Sequence, residues 1–198
     1  SIKRLKFHLA AGRKQSLLEN LLVELPQSSL QVDTLYATYL MTDSGLQRGA
    51  QDYYGKISNT SITPSELSCF IPTLKNLSSS ISIATKFQGT ESQVSIPGLL
   101  VSSAHHELDI NANGWIADWQ KRPSWNLHTN HFAVSEGYIN LLANAFPQIP
   151  SELTRLGDVQ MTADCERNQQ GAGNLKANLQ TGAGEAKVAI NLASDQSF

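Results

Sequence analysis

Val159-Gln160-Met161-Thr162-Ala163-Asp164-Cys165 alternates apolar or small residues with polar ones at every step, and the two segments after it repeat the pattern. Leu175, Ala177, Leu179 and Thr181 oppose Asn174, Lys176, Asn178 and Gln180, and Ala186, Val188, Ile190 and Leu192 oppose Lys187 and Asn191. Successive side chains of an extended backbone point to opposite faces, so each segment reads as a strand with one apolar and one wet face. The connections Gln170-Gly171-Ala172-Gly173 and Thr181-Gly182-Ala183-Gly184-Glu185 are short and glycine-rich, which suits hairpins. Strands joined this tightly pair antiparallel and form a meander.

The same logic extends upstream. Ile81, Ile83, Thr85 and Phe87 oppose Ser82, Ala84 and Lys86, and Leu108, Ile110 and Ala112 oppose Asp109, Asn111 and Asn113. Leu5, Phe7 and Leu9 alternate, as do Val32, Tyr36, Thr38 and Leu40 with polar Thr34 in register, which places this last group on one face. Two passages interrupt the alternation, each a helix start followed by an apolar residue, proline and a strand. Thr63-Pro64-Ser65-Glu66 carries Pro in the first turn and Glu three residues after Thr63, the signature of a capping box on a helix running to Ile71. It leads through Phe70-Ile71-Pro72 to the strand at 80–87. Ser135-Glu136-Gly137-Tyr138 opens a second helix to Asn144, with Tyr138, Ile139, Leu141, Leu142 and Ala145 supplying an apolar face. It leads through Phe146-Pro147 to the strand at 158–165. The two copies lie about 75 residues apart and divide a single elongated β domain into quasi-repeats of about 61–134 and 135–198. These helices are expected to plug an opening or cover an edge of the sheet.

Composition bounds the function. The chain has 198 residues, 40% of them apolar, enough for a packed domain. Fifteen basic residues against 17 acidic ones leave no positive excess, and no Lys/Arg stripe follows a phosphate backbone, so nucleic acid is not the expected partner. No apolar run approaches the roughly 20 residues of a membrane-spanning helix, and Ser1-Ile2-Lys3-Arg4 opens directly in a strand-like pattern, which is read as a soluble chain or a piece of a longer one. Cys69 and Cys165 offer neither a zinc framework nor a CxxC pair; they leave open one disulfide or two buried free thiols.

Residues able to support chemistry lack the spacing for it. In His105-His106-Glu107, neighbours on a strand point to opposite faces and no third metal ligand sits at a recognisable distance. His128 and His131 face opposite sides if that segment is extended. Gly171-Ala172-Gly173 lacks the strand-to-helix setting and the lysine of a phosphate loop. Asp109, Asp118, Asp158 and Asp164 show no relation that singles out an acid/base pair. The reading is therefore of a non-enzymatic protein without metal or cofactor. Trp115, Trp119 and Trp125, close to Arg122, suggest a sugar-stacking platform or, more ordinarily, core or interface residues.

The run Phe132-Ala133-Val134-Ser135-Glu136-Gly137-Tyr138-Ile139-Asn140-Leu141-Leu142, then Phe146-Pro147-Gln148-Ile149-Pro150-Ser151-Glu152-Leu153-Thr154-Arg155-Leu156-Gly157-Asp158-Val159, resembles the carboxy-terminal region of TamB-type translocation and assembly module proteins, especially those of Bacteroidetes. Thr63-Pro64-Ser65-Glu66-Leu67 with Phe70-Ile71-Pro72-Thr73-Leu74 resembles the preceding repeat, and Leu17 to Leu40 the strands before it. The resemblance implies a periplasmic segment of an AsmA-like protein anchored in the inner membrane and reaching the outer one. It implies a β-sheet curled into an open trough, a β-taco, that carries phospholipid acyl chains toward the outer membrane and supports outer-membrane protein assembly beside a barrel partner. No amino-terminal anchor or complete partner-binding region is recognised within the chain.

These expectations converge on an all-β antiparallel meander with two short helices. Its lipid-facing groove would be lined by Ile81, Ile83, Phe87, Leu108, Ile110, Val159, Met161, Leu175, Leu179, Val188 and Ile190. A closed β-sandwich whose core uses the same residues is the competing architecture, and with it a carbohydrate-binding or adhesin-like role for the tryptophans. A third reading is an assembly module that adds its edge strand to a barrel protein.

Overall fold

The computed structural model describes residues 2–42, 45–119 and 121–194; Ser1 of the opening tetrapeptide lies outside them. Eleven strands run in chain order: β1 (Arg4–Ala11), β2 (Gln15–Glu24), β3 (Ser29–Thr42), β4 (Gly45–Ile62), β5 (Ile81–Thr90), β6 (Gln93–Ser103), β7 (Leu108–Ala117), β8 (Ser124–Val134), β9 (Val159–Arg167), β10 (Gly173–Thr181) and β11 (Gly184–Leu192). Each pairs antiparallel with the next, and the sheet order is the chain order from β1 to β11. The protein is thus an all-β meander, open and not closed into a barrel. Among the described residues no second sheet packs against it, so the β-sandwich alternative does not describe this architecture. Nor, among them, is any helix long and apolar enough to cross a membrane.

A single layer leaves its surface in solvent. The accessible area is 12860 Å² for 21.6 kDa, against about 9,200 Å² for a compact monomer of this mass. The difference lies in the uncovered sheet faces and the two edges. Every residue of β1 and of β11 is exposed, including Phe7 and Leu192.

β-Bulges interrupt the ladder in several strands. The register slips beside Asn20 in β2, between Val32 and Thr34 in β3, beside Asn59 in β4, between Ile96 and Leu99 in β6 and between Thr129 and Phe132 in β8. Asn20 and Asn59 sit at φ 53° and 55°, a left-handed conformation that asparagine tolerates better than most residues. Pro97 occupies the β6 slip, where its missing N–H costs no regular ladder bond. Each extra residue increases local twist and bends its strand, and repeated bends curl an otherwise flat sheet.

The helical passages both join adjacent strands at the same end of the sheet, β4 to β5 and β8 to β9. The second is an α-helix, α1 (Glu136–Ala145), with the expected start: the Ser135 hydroxyl accepts from the Tyr138 N–H at 3.2 Å, and the Asp158 carboxylate accepts from the Glu136 N–H at 2.9 Å. A 3-10 turn at Ser151–Arg155 comes after it.

The first passage differs from expectation. It forms two 3-10 turns, Pro64–Leu67 and Pro72–Asn76, and no capping box. Thr63 is 1% exposed, and its hydroxyl donates to the Gln27 carbonyl at 2.9 Å while lying 2.8 Å from the Ser80 hydroxyl. The Glu66 carboxylate accepts from the Gln27 N–H at 2.8 Å. Tertiary partners in the β2–β3 turn thus claim both side chains that would have capped a helix. Pro72, which has no N–H to donate, bars a continuous helix from the first turn into the second.

Two further expectations are corrected. The β3 bulge moves Tyr36 and Thr38 to the face opposite Val32, because Val32 pairs with Ile57 whereas Thr34 pairs with Lys56. Cys69 is exposed and Cys165 half-buried, both as free thiols, so they are not the two buried thiols of the sequence reading.

Asn59 is exposed, so replacing it changes backbone strain and little packing. Asn59→Val is expected to lower unfolding free energy by about 1–2 kcal/mol, the cost of a left-handed conformation in a residue with a branched Cβ. Asn59→Gly is expected to remain within about 0.5 kcal/mol of the parent. Urea denaturation of the three proteins checks both.

Candidate functional site

The register decides which residues share a face. One cross-strand row near the helical rim runs Ile81, Ser103, Leu108, Val134, Val159, Thr181 and Gly184. Rows parallel to it include Ile83, Val101, Ile110, Phe132, Met161, Leu179 and Ala186, and, further along, Val94, Ile116, Trp125 and Arg167. The reverse face carries Asn111, Asn113, Asn126, His128, Thr162, Asp164, Asn174, Asn178 and Lys187 in the same strands. A continuous apolar face is therefore backed by a continuous polar one.

All eleven residues expected to line a groove fall on this apolar face, but they do not share one environment. Val159 is buried with Val134, Tyr138 and Ile139, and Leu108 and Leu179 pack against that cluster. Helix α1 therefore folds over the sheet along one rim and covers this strip. Ile81, Ile83, Phe87, Ile110, Met161 and Leu175 are half-buried, while Val188 and Ile190 are 38% and 45% exposed. Phe87 lies across Gly55 of β4, where an added Cβ would collide with its ring, and its ring centroid is 6.3 Å from that of Tyr53. The glycine lets the ring lie flat on the sheet.

The centre of the face was not legible beforehand. Val94, Ile96 and Leu99 of β6, with Ala112 and Ile116 of β7 and Trp125 and Leu127 of β8, surround Gly114 in an apolar depression of about 230 Å³. Small side chains at 112 and 114 leave the floor low between larger neighbours. The signal in β6 was present as two alternating pairs, Val94/Ile96 and Leu99/Val101, but Pro97-Gly98 between them reads as a break until the bulge is seen.

The tryptophans do not form one platform. Trp115 pairs with Asn126 on the polar face, Trp125 pairs with Ile116 on the apolar face, and Trp119 lies in the turn between their strands. Closeness in sequence is undone by the two-residue period of the strands. At the rim, however, Trp115 and Trp125 both line one open cleft of about 550 Å³ with Glu166, Gln169, Asn174 and Asn191.

The histidines are also redistributed. His105 and His106 occupy the β6–β7 turn and no strand, with His106 at φ 56° and its Nδ1 3.0 Å from the Asp109 carboxylate. His128 and His131 share the polar face, contrary to the expected opposition, because the bulge between Thr129 and Phe132 adds a residue between them. Among the described residues no group of three or more His, Cys, Asp or Glu side chains is placed to hold a metal ion.

Ion pairing strengthens the polar face. Asp33 accepts from the Ser58 hydroxyl at 2.6 Å and pairs with Lys56 at 2.8 Å; the hydrogen bonds from Lys56 and then Ser58 hold its carboxyl below the ordinary range. The His128 ring pairs with Asp164 on β9, and this hydrogen bond raises the imidazole above its usual range. No family model, curated protein or solved structure matches the chain.

Because the folded-state pKa of His128 is raised, its contribution to stability is complete below about pH 6.5, the ordinary value, and is lost as pH rises through the folded value. Thermal unfolding from pH 5 to 8 is expected to show the parent gaining stability relative to His128→Gln as the pH falls. An offset constant across this range would show that the pair makes no proton-linked contribution.

Proposed function

We propose that this chain is a non-enzymatic lipid-sheltering segment of the bacterial envelope. The observation that carries the reading is the apolar face that runs across the strands with no second sheet over it among the described residues and only one strip covered by α1, backed by a polar face that meets water. A soluble monomer rarely leaves so large an apolar patch uncovered unless something binds there. A curled apolar surface suits acyl chains, since each sheltered methylene contributes about 0.8 kcal/mol without directional contacts. Many shallow, similar positions also let a chain slide and not lodge.

The resemblance to TamB-type proteins adds the setting. In this proposal the chain belongs to a longer periplasmic protein that conveys phospholipid toward the outer membrane and supports outer-membrane protein assembly with a barrel partner. The open strand edges suit a sheet continued by further strands or by a partner's strand. A second reading rests on Trp115 and its amide-rich cleft, which have the aromatic surface and polar groups of a saccharide site. Loss of glycan binding in Trp115→Ala, with lipid uptake unchanged, would favour it.

Native mass spectrometry of gently purified protein, followed by organic extraction, tests the leading reading. Near-stoichiometric phospholipid is expected on the parent chain. Ile110→Asp and Val188→Asp are expected to keep the parent's circular dichroism and to lose lipid by at least about tenfold, since a carboxylate against an acyl chain costs more than the roughly 1.4 kcal/mol of a tenfold change. A lipid-free parent that also fails to take up fluorescent lipid would overturn the proposal.

A further inference from the structure

The two rims of the sheet carry opposite charge. The rim bearing the helical passages holds Glu24, Glu66, Glu107, Glu136, Glu152 and Asp158 against Lys3, Arg4, Lys75 and Arg155, an acidic excess. At the opposite rim, the β1–β2 turn carries Arg13 and Lys14, the β7–β8 turn carries Lys121 and Arg122 with Asp118, the β5–β6 turn carries Glu91, and Arg167 closes β9 next to Glu166, so cations outnumber carboxylates there. Lys121, Arg122 and Arg167 line one open cleft of about 940 Å³. Among the described residues none of these three cations is ion-paired with a carboxylate. The two turns that form the cleft are tied together, since the Gln169 amide donates to the Asp118 carboxylate. The Asn168 side chain further fixes the β9–β10 turn by accepting from the Gln170 and Ala172 N–H groups at 3.0 and 3.1 Å.

Register connects this cleft to the apolar depression. Trp125 lines the depression, and its direct cross-strand partner is Arg167, which lines the cleft. An indole between an apolar surface and a guanidinium suits the level at which an amphiphile's chain meets its head. We infer that the basic rim is a head-group site: Lys121, Arg122 and Arg167 hold the phosphate of an anionic lipid whose chain starts over Trp125 and runs across the sheet toward α1. The orientation follows from both rims, since the cations attract the phosphate and the acidic helical rim repels it. This rests on the lipid-sheltering reading and adds head-group charge selectivity and polarity to it.

The test compares three probes on the full chain at low ionic strength: dioleoyl phosphatidylglycerol, dioleoylglycerol with the same chains but no phosphate, and glycerol phosphate as the free head. Binding is read by displacement of a fluorescent acyl probe and by native mass spectrometry. The parent is expected to prefer the phosphatidylglycerol over the dioleoylglycerol by about tenfold. The triple variant Lys121→Gln/Arg122→Gln/Arg167→Gln is expected to lose that preference while holding dioleoylglycerol as before. Lys176→Gln, on the polar face, is expected to leave both unchanged. All four side chains are exposed, and circular dichroism verifies folding. Equal binding of the two lipids by the parent, or an unaltered preference in the triple variant, overturns the head-group site and leaves the apolar groove standing. Binding of glycerol phosphate alone marks an adventitious anion patch and overturns it as well. Binding of none of the three overturns both this site and the lipid reading.

Discussion

Cross-strand register is the constraint on which the rest of this structure depends. Each strand offers an apolar and a polar side, and a slip of one residue would exchange them. From β5 to β11 the register holds the two sides apart even where bulges intervene, while in β2 to β4 the reverse face also carries Leu17, Tyr36 and Tyr54. The bulges preserve this separation because each extra residue resets the alternation of its own strand against a neighbour that has none. At Asp33 and at Asn130 the correction keeps Val32 and Phe132 on the apolar face.

With one layer, cohesion comes mainly from backbone ladders and from contacts between neighbouring strands. Few apolar side chains are buried among the described residues; Val134, Tyr138, Ile139 and Val159 cluster where α1 folds over β8 and β9, while Val32, Leu77 and Ala112 are buried elsewhere. The first passage adds a polar anchorage through Thr63, Ser28, Ser80 and Glu66 to the burial of Pro64 and Leu77. Both passages secure the same rim and leave the other free. The resulting object has a covered acidic rim, an open basic rim and an apolar floor between them, which is the asymmetry an amphiphile requires.

Much of this was legible in the residues themselves. The strands from Asp158 to Leu192 are regular, pair without slips, and follow their alternation, so faces assigned from period two hold there. The same assignment failed for Tyr36, Thr38 and His131 because a bulge leaves little mark on composition. Thr63 and Glu66 carried a valid helix-start pattern that partners 35 and more residues away overrode. β6 was obscured by Pro97-Gly98, a pair that punctuates loops far more often than strands.

What the sequence alone determined is the all-β class, the antiparallel meander and the chemical contrast between the faces, because side-chain alternation and short turns are local properties of the chain. The tertiary structure decided which residues the apolar floor leaves open, where α1 covers it, and that Arg167 stands beside Trp125 at the basic rim. Those facts depend on pairings between residues distant in sequence and on where the ladder slips. A local pattern specifies neither, since the free energy that fixes them belongs to the assembled sheet.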